Sequence, residues 1–305
     1  MEKEHLCERC AGSKEFDARL AYQRLARKHE QLAQLMARYM SEAGAERPAR
    51  VERALSMASE AERIVGGVTT TEFPECCLVG RRNPNGTVGW FCSGALIHPR
   101  IVLTAGHCFI ASNRANIVAL NANDQNHLQS SELDTIRAMF QHPRYQQTHE
   151  FSDMSVIILR TASHIAPVKV ASTAEMAAAT ETTLVGFGND DVNSTRGFGV
   201  KRMVKVPITN IRRAATDNLD QAEQDLGFES DFEFVAGAPG FDTCNGDSGG
   251  PAYIFAGGER RLAGATSRAT NAATHPCGDG GIYTRVDVHL DFVRQVARDA
   301  GVRDF

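Results

Sequence analysis

Residues 242–251 read DTCNGDSGGP, and within them glycines stand two residues before Ser248 and directly after it. Glycine allows close approaches that a side chain would hinder, so backbone N–H groups of such a loop can come close to a developing oxyanion. A serine hydroxyl is a poor nucleophile until an imidazole accepts its proton, and that imidazole needs a carboxylate to fix its tautomer. A nucleophilic Ser248 therefore requires a histidine and an acidic residue elsewhere; without them the stretch is an ordinary tight turn.

Two earlier segments supply these groups. Residues 104–108 read TAGHC and carry His107, and Asp153 stands directly ahead of the apolar run MSVIIL. Each has a plainer interpretation when taken singly, because histidines are often structural and an aspartate before a strand often caps a turn. Together, in the order His107, Asp153 and Ser248, they predict a catalytic triad for acyl transfer.

The sequence around these segments predicts β structure. From residue 64 onward, turn-forming stretches rich in Gly, Asn, Asp and Pro separate short β-rich runs, which is typical of an all-β sandwich or barrel. The runs are VGWFCSGALI, RIVLTAG, NIVAL, MSVIIL, ETTLVGFG, VKRMVKVPI, PAYIF, RLAGAT and GIYTRV. Near the end of the chain, Val286, Leu290, Val293 and Ala297 recur at helical spacing and predict a final helix.

A fourth motif stands at residues 64–67, which read IVGG. With TAGHC at 104–108, Asp153 ahead of an apolar strand and GDSGGP at 246–251, it makes residues 64–305 similar to the trypsin/chymotrypsin family of serine peptidases. The resemblance implies an all-β domain of two antiparallel six-stranded β-barrels with a C-terminal helix and an active site in the cleft between the barrels. It also implies an endopeptidase that works through an acyl-enzyme intermediate.

The resemblance assigns a role to each residue that matches a family motif. Ser248 would attack the scissile carbonyl, His107 would take its proton and return it to the leaving amine, and Asp153 would orient His107. The backbone N–H groups of Gly246 and Ser248 would form the oxyanion hole.

The same resemblance predicts a pocket for a basic side chain. Asp242, six residues before Ser248, would lie at its base and select Arg or Lys, and Gly281 would leave room along its wall. Ser267 and Ala269 match the segment that pairs with the substrate backbone. There Arg268 replaces the usual tryptophan, which puts the neighbouring apolar subsites in doubt, and the methyl group of Ala269 narrows the pocket mouth.

Arg63 precedes the IVGG motif, and this arrangement predicts a zymogen. In similar enzymes, cleavage before the isoleucine, here Ile64, frees an α-ammonium group that pairs with the aspartate matching Asp247 and orders the oxyanion loop. Residues 1–63 would then be a propeptide, a regulatory region or both. The bond between Arg63 and Ile64 is itself a site that such a protease can cut, so self-activation is a further hypothesis. The alternative is that Arg63 merely ends a charged helix.

Eight cysteines are present, an even number as disulfide pairing requires. The resemblance pairs Cys92 with Cys108, next to His107, and Cys244 with Cys277, next to the specificity pocket. Each disulfide is expected to stabilise the domain by a few kcal/mol.

The other four cysteines have no family assignment. Cys7 and Cys10, with His5, are half of a zinc site at best, because tetrahedral zinc needs four ligands. Cys76 and Cys77 are neighbours on a predicted strand, so one is expected in the core and the other at the surface. No metal and no cofactor is predicted.

Residues 1–63 are predicted to be helical. One face combines apolar and aromatic residues at spacings of three and four. Its members are Tyr22, Leu25, His29, Leu32, Met36 and Tyr39. A helical hairpin and a short coiled coil, which would self-associate or recruit a helical partner through residues 16–40, both remain open.

Composition limits the classes of partner and leaves the compartment open. The chain has 305 residues, 42% hydrophobic and 23% charged, with a net charge of −4, which favours neither nucleic acid nor an anionic membrane. It has no apolar run long enough to cross a bilayer. The first twenty residues lack the apolar stretch of a secretory signal, which indicates the cytosol, whereas the predicted disulfides indicate an oxidising compartment.

Protein or peptide substrates are therefore the expected partners. Three other interpretations stay open: an intracellular protease that a partner regulates through residues 1–63, a protease-like binding module without catalysis, and an ester hydrolase with the same triad. The intact His107 and Ser248 argue against the binding module, and Asp242 together with IVGG favours peptides over esters.

Overall fold

The computed structural model describes residues 65–109, 114–145, 151–303 and 305. Within these ranges the chain forms two closed, antiparallel six-stranded β-barrels and ends in a helix, which confirms the predicted fold class. The expectations for the helical residues 1–63, the His5 and cysteine cluster near the N-terminus, Arg63 and Ile64 lie outside the described residues.

The first barrel forms from consecutive short strands, several of them almost wholly apolar. Its strands follow the order β2-β3-β4-β7-β6-β5, and β5 pairs with β2 to close the ring. They are β2 (Cys76–Arg82), β3 (Val88–His98), β4 (Ile101–Thr104), β5 (Ile117–Leu120), β6 (Glu132–Gln141) and β7 (Ser155–Leu159).

The second barrel follows the order β10-β11-β14-β13-β12-β9, and β9 pairs with β10 to close it. Its strands are β9 (Glu181–Gly186), β10 (Arg202–Asn210), β11 (Glu233–Ala236), β12 (Pro251–Ala256), β13 (Glu259–Ala269) and β14 (Gly281–Arg285). Two short strands lie outside the rings: β1 (Val68–Thr69) pairs with β10, and β8 (Lys169–Val170) runs parallel to β13.

Three α-helices lie in the described part of the chain. They are α1 (Thr173–Ala178), α2 (Asp220–Leu226) and α3 (Leu290–Asp299). A capping box formed by Ser172 and Glu175 begins α1, and α2 ends at Gly227, whose left-handed backbone suits glycine. The predicted final helix is confirmed by α3, which buries Val293 and Ala297. None of these helices has the length and apolarity that crossing a membrane requires.

The structure of β2 corrects the prediction that one of Cys76 and Cys77 lies at the surface. The two side chains point to opposite faces of the strand, as expected, yet both are completely buried. Cys77 packs in the interior of the first barrel. Cys76 packs in a cluster that includes Tyr253, on β12, and Phe187, which directly follows β9, and both strands belong to the second barrel. The expectation that one of them is a surface residue is wrong, because the outer face of β2 is covered by the second barrel.

Candidate active site

The pairing of β4 with β7 brings His107 to Asp153. Thr104, the last residue of β4, lies opposite Ser155, the first residue of β7. A single 3-10 turn at Gly106–Cys108 follows β4 and carries His107, while Asp153 stands two residues before β7. Nδ1 of His107 lies 2.8 Å from Oδ2 of Asp153, and the backbone N–H of His107 donates to Oδ1 at 2.8 Å.

The carboxylate of Asp153 is buried and well satisfied. Its residue is 2% exposed, and a third donor, the hydroxyl of Ser267, reaches Oδ2 at 2.6 Å. Burial acts to raise the pKa of Asp153, but the hydrogen bonds from His107 and Ser267 and the charge of His107 hold that pKa below its ordinary value. Asp153 is therefore ionised at neutral pH and favours the tautomer of His107 with the proton on Nδ1, which leaves Nε2 able to accept one.

The loop that carries Ser248 is hydrogen-bonded to the first barrel. The backbone N–H of Ser93, on β3, donates to the carbonyl of Ser248 at 2.8 Å, and the Ser93 hydroxyl donates to the carbonyl of Gly246 at 2.9 Å. Gly249 has φ of 76°, and a Cβ there would lie 2.1 Å from Oγ1 of Thr104. Only glycine fits this approach, so the loop reaches the strand that leads into His107.

The predicted disulfide between Cys92 and Cys108 is present and ties the His107 turn to β3. The sulfur atoms of both cysteines and a ring nitrogen of His107 lie within 4.8 Å of one another, the only such grouping of three potential metal ligands among the described residues. Because the two sulfur atoms are bonded to each other, this grouping offers no thiolate ligand to a metal ion.

Asp242 and Gly281 are neighbours in the second barrel. Asp242 is 2% exposed and accepts hydrogen bonds at Oδ1 from the Thr243 N–H at 2.7 Å and from the Tyr283 hydroxyl at 3.1 Å. Burial raises the pKa of Asp242 to about 7. A Cβ on Gly281 would lie 2.9 Å from both Oδ1 of Asp242 and the hydroxyl oxygen of Tyr283, so glycine lets β14 pass this close to the carboxylate.

The end of β13 runs beside this group. Ala269 is exposed and lies opposite Gly281 in the β13–β14 pair. The register shifts at Ser267, between Thr266 and Arg268, and the hydroxyl of Ser267 turns to Asp153. Ser267 was predicted only as a substrate-binding residue, and its contact with Asp153 is new.

Arg268 has a partner that the sequence did not reveal. Its guanidinium binds Glu233 on β11 through two contacts, Nη1 to Oε1 at 2.6 Å and Nη2 to Oε2 at 3.0 Å. Glu233 is completely buried. The only sequence signal for this pair was a glutamate in the otherwise apolar segment FEFVA, because the two residues are 35 positions apart.

Asp247 lies in a buried backbone cradle behind the Ser248 loop. It is 0% exposed and accepts hydrogen bonds from the N–H groups of Gly188 at 2.7 Å and Cys244 at 2.9 Å. Burial raises its pKa to about 6. Val65 packs beside the second predicted disulfide, which joins Cys244 to Cys277 and is present. The start of the described chain thus lies against the segment that contains Asp247.

Comparison with known proteins agrees with this geometry. The family model described as Trypsin matches residues 64–293. A trypsin from Saccharopolyspora erythraea is 29% identical over 239 residues, which cover 76% of this chain and 97% of that protein. Trypsin 5G1 of Aedes aegypti is 29% identical over 245 residues, covering 77% and 85%. Phenoloxidase-activating factor 3 of Holotrichia diomphalia is 26% identical over 262 residues, covering 77% and 73%.

Proposed function

Because the chain belongs to the trypsin family of serine peptidases, we propose that it cleaves protein substrates after Arg or Lys and is activated by cleavage between Arg63 and Ile64. The chain is a serine-type endopeptidase that acts on proteins. The observation that carries the proposed specificity is the buried carboxylate of Asp242, beside which Gly281 places no side chain.

In the proposed reaction, Ser248 Oγ attacks the substrate carbonyl while His107 Nε2 takes the hydroxyl proton. The resulting oxyanion is stabilised by the N–H groups of Gly246 and Ser248. When the C–N bond breaks, His107 gives the proton to the leaving amine, and an ester of Ser248 remains. Water, deprotonated by the same imidazole, then hydrolyses this ester. Asp153 keeps His107 in the required tautomer throughout and stabilises its charged form.

The preference for a basic side chain rests on the cost of leaving Asp242 unpaired. A guanidinium or ammonium that enters the pocket can neutralise the carboxylate, whereas an apolar side chain leaves it buried without a counter-charge. Arg and Lys are the side chains long enough and positive enough to do this.

The activation proposal rests on Asp247 and on the position of Val65. Hydrolysis of the bond between Arg63 and Ile64 gives a carboxylate and a new α-ammonium group one residue from Val65. That ammonium is the natural counter-charge for the buried Asp247, whose hydrogen-bond donors in the described chain are neutral backbone groups. Pairing would fix the loop of Gly246 and Ser248, and residues 1–63 would act as the propeptide or a regulatory region.

Matched peptide reporters ending in Arg, Lys, Phe or Ala test the proposal on three forms of the protein. The forms are the full-length chain, the chain that starts at Ile64, and the latter with Ser248→Ala. We expect only the Ile64 form to cleave, with a preference for Arg or Lys. Equal activity of an uncut full-length chain would remove the zymogen proposal, and cleavage after Phe or Ala would remove the role of Asp242.

Self-activation has its own test. A full-length Ser248→Ala protein should stay intact alone and be cut at Arg63 when a trace of the active Ile64 form is added. Spontaneous cutting of the Ser248→Ala protein would show that another activity opens this bond.

A further inference from the structure

The pair of Arg268 and Glu233 is connected to Asp153 through a single hydroxyl. Arg268 Nη1 lies 3.2 Å from Oγ of Ser267, and that oxygen lies 2.6 Å from Oδ2 of Asp153. A guanidinium only donates hydrogen bonds, so Ser267 Oγ must accept from Arg268 and has its one proton left for Asp153. Because ionised Asp153 can only accept, Ser267 bridges the two charged groups, and the contact from Arg268 holds its hydroxyl in the orientation that donates to Asp153.

Negative and positive charges alternate from Glu233 through Arg268 to Asp153. Glu233 and Asp153 are buried carboxylates, and the guanidinium of Arg268, 17% exposed, binds the first and lies one hydroxyl from the second. Burial raises the pKa of Glu233, and the charge of Asp153 contributes in the same direction, which places the two carboxylates within electrostatic reach of each other. The Arg268–Glu233 pair is neutral as a unit, but either member alone would place a net charge beside Asp153 and His107.

We propose, resting on the roles proposed above for His107 and Asp153, that the Arg268–Glu233 pair is a positioning element of the reaction. It directs the hydroxyl of Ser267 to Asp153. Because the pair is neutral as a unit, it adds no net charge beside His107 and Asp153. Both residues act through Ser267 and Asp153 and are positioning residues, since neither contacts the reacting atoms.

Other titratable groups surround the same centre and must stay constant in a test. From the end of β6, His142 packs on His289, which precedes α3 and contacts the hydroxyl of Ser152. Burial lowers the pKa of His142 to about 4 and also lowers that of His289, so both are uncharged at neutral pH. Burial raises the pKa of Asp242 to about 7 and that of Asp247 to about 6, and both lie in the Ser248 loop. The test therefore compares, between variants, the pH at which the reaction rate reaches half of its maximum, and it uses a probe without a basic group.

The probe is a small, neutral phosphonyl fluoride, which reacts with the serine nucleophile without needing a cation at Asp242. Its second-order rate constant against pH, measured on the Ile64 form, gives the midpoint at which His107 loses its proton. Glu233→Gln keeps an oxygen for Arg268 but leaves a permanent positive charge. That charge disfavours the imidazolium, so the midpoint should fall by about half a pH unit or more.

Arg268→Met removes the donor to Ser267, and the plateau rate should fall about tenfold because Asp153 is held less firmly. In the double variant Glu233→Gln/Arg268→Met neither charge remains, so the midpoint should return to that of the parent while the plateau stays low. In a Ser267→Ala background, Arg268→Met should lower the plateau no further. Stoichiometric labelling counts the folded, reactive protein in each sample.

Arg261 and Glu175 provide the matched control, because they form an ion pair at the other end of β13, 3.5 Å apart. Arg261→Met/Glu175→Gln should leave midpoint and plateau unchanged. The inference would be overturned if Glu233→Gln left the midpoint unchanged, or if the double variant did not restore it. In either case, reaction of the probe at Ser248 would leave the proposed function standing. No reaction at Ser248 in the parent protein would overturn both.

Discussion

The hydroxyl of Tyr283 donates to Oδ1 of Asp242 across 3.1 Å. The Thr243 N–H and the weaker contact from its hydroxyl reach the same oxygen. Both Tyr283 and Asp242 are buried, and Tyr283 follows Gly281 by two positions on β14, so one strand supplies both the donor and the glycine beside it. The carboxylate is thus oriented through Oδ1, and under the proposed specificity Oδ2 would receive the basic side chain of the substrate.

Asp242→Asn should remove the preference for basic residues. The amide keeps the size of the side chain but cannot neutralise a buried cation, so kcat/KM for Arg and Lys reporters should fall by about 10² to 10³-fold. Reporters ending in Phe or Ala should change by less than about threefold. A parallel fall on all four reporters would indicate damage to the reaction centre and contradict the assignment of the pocket.

Binding of an amidinium inhibitor such as benzamidine should depend on pH through Asp242. Burial raises the pKa of Asp242 to about 7, so the carboxylate is mostly ionised above that pH and mostly protonated below it. Affinity should be constant at high pH and fall by up to about tenfold per pH unit below 7, with a proton released on binding near pH 7. Calorimetry in two buffers of different ionisation enthalpy measures both effects. A dissociation constant that is flat between pH 8 and 5 would show that Asp242 does not receive the amidinium.

Gly281→Ala should block the pocket without disturbing the rest of the site. The added methyl group would lie 2.9 Å from Oδ1 of Asp242 and from the Tyr283 oxygen, so it covers the carboxylate. We expect KM for Arg and Lys reporters to rise at least about tenfold while labelling by the phosphonyl fluoride continues. Gly89→Ala is the matched control, because a Cβ there meets nothing within 4 Å. Equal behaviour of the two variants would contradict the proposed position of the pocket wall.

The two disulfides should affect different kinetic constants. Replacing Cys244 and Cys277 by serine frees the segment that carries Asp242, so KM for Arg reporters should rise. Replacing Cys92 and Cys108 frees the turn that carries His107, so kcat should fall instead. Their sequence separations of 33 and 16 predict a loss of about 3 to 4 kcal/mol of unfolding free energy in each case. Denaturant titration and reporter kinetics on both double variants check this, and an exchange of the two kinetic effects would refute it.

Local motifs carried most of what the sequence predicted. The order of His107, Asp153 and Ser248 and the final helix follow from short segments whose chemistry is fixed by a few neighbours, and the family resemblance that these motifs carry implied both disulfides. Long-range pairing was not predictable in the same way. Glu233 on β11 is one example, because its partner Arg268 lies on β13, 35 positions further along the chain.

The prediction for the adjacent cysteines Cys76 and Cys77 was wrong for a related reason. Alternation along β2 correctly separated Cys76 from Cys77, but alternation cannot tell whether the second face of a strand meets water or another barrel. The strand β6 was also absent from the predicted runs, because its segment ELDTIRAMFQ mixes charged and apolar residues and presents exposed positions along its length.

The hydrogen bond from Ser93 to the carbonyl of Ser248 joins two parts of the site that are synthesised at different times. The strands of the first barrel end at Leu159, so a ribosome has made all of them, with His107 and Asp153 included, well before it reaches Ser248. The Ser248 loop comes later in the chain and contacts the first barrel through this hydrogen bond. If the roles proposed for His107, Asp153 and Ser248 hold, we expect proteolytic activity to begin only when the two barrels are in contact.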